Sequence, residues 1–147
     1  MDIRRLEAEE VGLLRDGLMA LAQYHNAIPS TFSEVYPTVP IDEQLAETAR
    51  QVSEDRAQVE AAFEGNTPVG FCKTSASRTL GVIDYLFVRE EFRGKGYGGR
   101  LMEGALAYLR GRGVDLIDLR VVTGNPAQQI YEKYGFRVRS LIMSRKP

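Results

Sequence analysis

The chain has 147 residues, 44% hydrophobic and 27% charged, with a formal net charge of −1. That length suits a single domain, residues 1–147, with an interior of its own, and the near-neutral balance speaks against a nucleic-acid surface, which carries a strong basic excess. No apolar run approaches the roughly eighteen residues of a membrane span, and the lone Cys72 has no partner for an internal disulfide. The N-terminus MDIRRLEAEEVGLL places acids where a secretory leader needs an unbroken apolar run, so a cytoplasmic location is expected.

Met1 to Leu6 reads as a short first strand. From Glu7 to Asn26, Val11, Leu14, Leu18, Leu21 and Ala22 recur at helical spacing and predict one amphipathic helix. The following run, AIPSTFSEVYPTVPI, is too broken by proline for a helix and too apolar for a simple linker. Loops of this kind form binding walls or cap a core, and Tyr24, His25, Phe32, Glu34 and Tyr36 are the candidates for an acceptor pocket. His25 alternatively serves as a surface or capping residue. A second helix is expected over Asp42 to Asp55, capped by Asp42.

Gln58–Glu64, Val69–Ser75 and Thr79–Val88 read as three strands joined by short turns, hence an antiparallel meander. Cys72 lies within the second and reads as a packing residue. Leu101, Met102, Ala105, Leu106 and Leu109 give the helix Gly98–Arg110 one apolar face, and Gly111 and Gly113 end it. Val114–Val122 alternates as a strand, so strand, helix and strand form a βαβ unit with its two strands parallel. A short helix over Ala127–Tyr134, begun at Asn125-Pro126, and a last strand over Phe136–Met143 complete an α+β domain. Its centre is a mostly antiparallel mixed sheet flanked by helices.

Between the third strand of the meander and the helix after it lies VREEFRGKGYGGR, with four glycines in the six positions 94–99. The first amides of a helix lack intrahelical partners and the helix dipole places positive charge there, so a glycine-lined helix start suits a phosphate. Arg93, Lys95 and Arg100 add formal charge. The competing reading is a tight turn with its cations in water, though a turn alone needs fewer glycines. No Gly-Lys-Ser or Gly-Lys-Thr of the Walker type occurs, and a dinucleotide fingerprint over Gly94, Gly96 and Gly99 falls outside the first βα turn where it belongs.

Arg93-Gly94-Lys95-Gly96-Tyr97-Gly98 fits R/Q-x-x-G-x-G/A directly after a strand, and NPAQQIYEKYGF (Asn125–Phe136) follows about thirty residues on. Both segments resemble the GNAT superfamily of N-acetyltransferases in type and order, over Pro68 to Phe136. The resemblance implies acetyl-CoA as co-substrate and no metal. Leu86, Phe87, Val88, Arg93, Gly94, Lys95, Gly96, Tyr97, Gly98, Gly99, Arg100 and Asn125 would hold it, and a backbone amide around Val88 would donate to the thioester carbonyl. It also implies that Tyr131 protonates the leaving sulfur, with core packing as the alternative role. Asn125 would bond the pantetheine arm, cap its own helix, or both; its spacing to Tyr131 is one residue shorter than is common in the family. A homodimer is compatible with the resemblance.

Amide formation from a thioester also needs a deprotonated amine. A carboxylate within an apolar strand is costly unless paired, solvated or functional, and Asp84 is one, placed by alternation on a face with Leu86 and Val88. It reads either as the base for the amine or as a salt-bridge partner of Arg120. Two functions remain on the sequence: transfer of an acetyl group to a primary amine of a small molecule or peptide by direct attack, or a non-catalytic module that senses CoA or another nucleotide. Tyr131 discriminates, because a sensor needs no proton donor at the sulfur.

Overall fold

A computed structural model describes residues 1–147. Its centre is a five-stranded sheet in chain order: β1 (Asp2–Arg5), β2 (Ala57–Glu64), β3 (Thr67–Ser77), β4 (Leu80–Val88) and β5 (Leu116–Leu119). The first four pair antiparallel and β4 pairs parallel with β5. The meander and the βαβ unit therefore form as the spacing predicts. Helices α1 (Arg15–Ala27) and α2 (Ile41–Ser53) cover one face of the sheet, and α3 (Tyr97–Gly111) covers the other; α4 (Ala127–Lys133) follows β5.

Each face is closed by apolar side chains. Leu14, Leu18 and Leu45 meet Val59, Ala61, Phe71 and Phe87 under α1 and α2, while Leu101, Met102, Ala105 and Leu109 meet Cys72 and Ile83 under α3. Fully buried leucines of this kind contribute about 1.5–3 kcal/mol each, which holds the helix starts in place over the sheet.

Four elements differ from the sequence expectations. The helix predicted from Glu7 is a 3₁₀ turn over Ala8–Leu14 followed by α1; Gly12 weakens the α-helix there, and the Glu7 amide is held by the Glu10 carboxylate at 2.9 Å. Asp42 is not the cap of α2, which starts one residue earlier behind Pro40; it lies in the first turn and pairs with Arg15 at 2.7 Å. The β5 ladder is confined to Leu116–Leu119. Phe136–Met143 forms no strand: Arg137 bonds the carbonyls of Glu132 and Phe136, bending the chain, and only the side chain of Arg139 reaches β5, at Asp118.

Strand β4 also breaks its own alternation. Lys73 lies opposite Tyr85 but Thr74 lies opposite Ile83, so Asp84 is an extra residue, a β-bulge. Unbroken alternation would put Ile83, Tyr85 and Phe87 on one face and Asp84 with Leu86 and Val88 on the other; the bulge breaks both sets. Ile83 joins Leu86 and Val88 on the α3 side, while Tyr85 and Phe87 pack under α1 and α2.

Tight packing fixes the sign of one substitution. Gly17 lies in α1 with its absent Cβ only 2.4 Å from the Phe71 ring, which is itself 2% exposed. Glycine to alanine in a helix ordinarily gains up to about 1 kcal/mol, but overpacking here reverses it. Gly17→Ala is expected to destabilise the fold by about 1–3 kcal/mol, measured as a lower urea midpoint; a raised midpoint would contradict this packing.

Candidate active site

The ladder between β4 and β5 ends at Ile83–Leu119, one residue before the bulge. From Asp84 to Val88, β4 therefore has a neighbour on one edge only. The Arg89 amide donates to the Val69 carbonyl at 2.8 Å, so Arg89 and, two residues back, Phe87 direct their backbone groups toward β3. Leu86 and Val88 direct theirs into the open gap. Two amides without a partner strand thus line a cleft beside β4.

The glycine loop sits at one end of this cleft. Backbone N–H groups of residues 94 to 99 donate to no acceptor in the chain; the first return bond runs from the Arg100 amide to the Gly96 carbonyl at 3.2 Å. Left-handed dihedrals at Gly94 (φ +76°) and Gly96 (φ +91°) turn those amides outward, a backbone course that side-chain-bearing residues resist. Gly98 is different. It is helical, and a Cβ there would meet only Val88 Cγ2 at 4.0 Å, so nothing in the fold itself requires glycine. At Gly99 a Cβ would come into ordinary contact with the Tyr134 hydroxyl, at 3.4 Å. This run of free amides at a helix start suits a pyrophosphate, and the open β4 edge suits a thioester carbonyl.

The cations of the loop are less uniform than the sequence implies. Arg93 folds back: its Nε donates to the Val88 carbonyl at 2.8 Å, and its guanidinium lies 4.8 Å from the Tyr24 ring and 5.4 Å from that of Phe87. Lys95 lies over the Phe92 ring at 5.2 Å. Arg100 points away, into a recess with Ile3, Glu60 and Glu103. Tyr97 is buried, with its hydroxyl donating to Glu64 at 2.7 Å, so it offers the cleft only backbone.

The opposite wall comes from α1 and from the loop before α4. Asn125 accepts the Ala127 amide at 2.9 Å, capping the start of α4, and also receives the Tyr24 hydroxyl at 3.4 Å. Ile28 packs against Gly124 beside it. Tyr24, His25 and Tyr36 form an aromatic series with centroids 6.1 and 5.3 Å apart, and Asn26 brackets the backbone of Tyr36. Burial pushes the His25 imidazole below its ordinary value, favouring the neutral ring. Phe32 and Glu34 lie on the outer part of this loop, and Glu34 is exposed with a left-handed φ of 75°. Tyr24 is the candidate that joins the cleft directly.

Tyr131 is half-buried among Cys72, Ile83, Leu101 and Phe136, and its hydroxyl has no hydrogen-bond partner. Burial raises the phenol above its ordinary value, so it keeps its proton at neutral pH. Asp84 makes no salt bridge to Arg120; it accepts the Ser75 hydroxyl at 2.7 Å. Its carboxylate meets water on one side and is crowded by protein on the other. That crowding raises it above the usual carboxylate range, against the lowering influence of Lys73, Ser75 and Arg120. Cys72 is pushed up to about 12 by burial and is unreactive as a nucleophile.

Sequence reasoning passed over Lys73, Ser75 and Tyr134. Lys73 carried the same signal as Asp84, a charge inside an apolar strand. Tyr134, three residues after Tyr131, has its hydroxyl beside the first turn of α3.

A splayed mixed sheet with an anion-binding helix start at the mouth of the gap describes a class of enzymes that take acyl groups from CoA. The Acetyltransferase (GNAT) family profile matches residues 21–136. The chain belongs to that family. It is 36% identical over 85 residues to the mycothiol acetyltransferase of Propionibacterium freudenreichii subsp. shermanii, a match covering 54% of this chain and 27% of that relative's length. A GCN5-related N-acetyltransferase from Ralstonia eutropha JMP134 shares the fold with a TM-score of 0.80 at 16% identity, over 99% of this chain and 97% of the other. The PaiA N-acetyltransferase of Thermoplasma acidophilum, solved with coenzyme A, does so with a TM-score of 0.76 at 20% identity, over 96% and 92%. No helix is long and apolar enough to cross a membrane.

Gly98 separates ligand from turn. Gly98→Val is expected to leave the unfolding midpoint within about 1 kcal/mol of the parent, as the site is helical and open, and to weaken coenzyme A binding at least tenfold by calorimetry. Unchanged affinity would reduce the loop to a turn.

Proposed function

We propose that the protein transfers the acetyl group of acetyl-CoA to a primary amine of a small molecule by direct attack within a ternary complex. The observation that carries this reading is the open edge of β4, with two unpartnered amides between the free-amide loop and the unpaired hydroxyl of Tyr131. The mycothiol acetyltransferase relative supports a small-molecule acceptor.

In this reading, the amides of residues 94–99 and the cap of α3 hold the pyrophosphate. Val88 or Leu86 N–H donates to the thioester carbonyl and stabilises the oxyanion as the C–N bond forms. Asp84 takes the proton that the amine loses, through a water. Tyr131 donates to the sulfur as the C–S bond breaks. A phenol ordinarily titrates above a thiol, so full transfer from Tyr131 to the thiolate is uphill. Its role is a hydrogen bond that tightens as charge develops; the ammonium's first proton goes to Asp84, and the second, shed by the nitrogen after attack, passes to the sulfur and gives the free thiol. The acceptor enters along Tyr24, His25 and Tyr36, with Phe32 and Glu34 at the outer rim, and the acidic groups Glu34 and Asp84 favour a cationic amine.

Free-thiol release against a panel of amines, polyamines, aminoglycosides and N-terminal peptides tests the reaction and names the acceptor. Tyr131→Phe is expected to lower kcat by one to three orders of magnitude while acetyl-CoA affinity stays within a few-fold; untouched turnover would remove the acid role. Asp84 makes a separate claim on pH. Its raised carboxyl should set the ascending limb of kcat/KM at a pH above the ordinary aspartate range, and Asp84→Asn should abolish that limb. A limb that survived in the variant would assign the base elsewhere.

A further inference from the structure

Strand β3 holds a second charge that the reaction scheme leaves unused. Lys73 is 6% exposed, next to Asp84 across the β3–β4 ladder. It lies on the face of Phe71, under α2, with its Nζ 5.9 Å from the Tyr85 ring centroid. It donates no hydrogen bond, and no carboxylate oxygen lies within 4.0 Å of it. The side chain is buried while its ammonium, bonded by no protein group, keeps an edge to solvent; it is partly desolvated, and the charges around it decide what it does.

The charged and titratable groups around it narrow its role. On α2, Glu47 is already engaged by Arg50 at 2.6 and 2.7 Å, and the Thr48 hydroxyl bonds the Gln44 carbonyl and the Tyr85 hydroxyl. Arg56, before β2, pairs with Glu54 at 2.8 Å. On β4, the Tyr85 hydroxyl is taken by Thr48, which leaves Asp84, whose one side-chain donor is Ser75. Arg120, beyond the end of β5, acts on Asp84 only at a distance.

We propose that Lys73 is the positioning residue of the acetyl-transfer base: its otherwise unpartnered ammonium holds the bulged Asp84 carboxylate ionised at the open edge of β4. This rests on the reading of Asp84 as the base. The bulge is what makes the arrangement work. By inserting Asp84 between the positions opposite Lys73 and Thr74, it brings the carboxylate to the Lys73 side of the sheet while keeping it at the point where β5 leaves. Desolvation moves the two groups toward each other in their titration, the carboxyl up and the ammonium down, and each is the chief charge opposing that shift on the other. Contact pairing would neutralise Asp84 as an acceptor of protons. Separation beyond ion-pair distance keeps it charged yet available.

Lys73→Met and Lys73→Arg test this in two measurements. The first is the carbon-13 carboxyl titration of Asp84 in the resting protein, assigned with Asp84→Asn. The second is the pH profile of kcat/KM. In Lys73→Met the Asp84 titration and the ascending limb should both move up by one unit or more, a tenfold loss of kcat/KM on the acid side, and Lys73→Arg should restore both. An unmoved Asp84 titration would overturn the assignment of Lys73. A moved titration with an unmoved limb would overturn it through its premise, because Asp84 would then not be the base. Lys73→Met removes a partly desolvated charge and is expected to unfold at or above the parent temperature; a variant that failed to fold would make Lys73 a structural anchor and defeat the proposal.

Discussion

Everything at the cleft follows from where one ladder stops. Parallel pairing of β4 with β5 lasts four residues, from Leu80–Leu116 to Ile83–Leu119, and the bulge at Asp84 comes next. A bulge adds twist and bends the strand that carries it. The remaining half of β4 keeps β3 on one side and leaves its other edge without a partner. An unpaired edge is usually a liability that proteins cover or blunt. Here it is retained inside the molecule, walled by α1 and the loop before α4, where its amides are paired with no strand.

The electrostatics of the site rest more on backbone than on formal charge. The chain as a whole carries a net charge of −1, and the side chains that the loop supplies are mostly committed elsewhere. Arg93 lies on Tyr24 and Phe87, Arg100 faces Glu60 and Glu103, and Tyr97 is bonded to Glu64. What remains for an anion is the row of amides and the dipole of α3. Fixed dipoles of this sort need no reorganisation when the ligand arrives, whereas long cationic side chains lose rotamer freedom.

The elements most legible in the sequence were those with strong periodicity. The meander, the apolar face of α3 and the glycine loop all formed within a few residues of the expected bounds, because each combined a regular pattern with unambiguous stop signals. What escaped was whatever depends on a neighbour. The bulge at Asp84 cannot be seen in VIDYLFV, which alternates well enough to be drawn straight, and so Ile83 was put on the wrong face. Asp42 looked like a cap but was drawn into the first turn by Arg15. FRVRSLIM has strand-like composition, yet its arginines reach carbonyls and Asp118 instead of building a ladder. The loop and Tyr131 stand out in the sequence through their motifs, whereas Lys73 gains Asp84 as a neighbour only through the bulge.

Arg93 has one further consequence. Its guanidinium touches three things at once: the carbonyl that ends β4, the ring of Tyr24 on the acceptor wall and, through Tyr24, the Asn125 cap of α4. Anything that shifts Arg93 therefore alters the packing of Tyr24 and, through it, the start of α4. By linkage, groups bound at either end of this contact would change each other's affinity in the same proportion. The glycine-loop side of the cleft and its α1 wall thus share a single mechanical joint.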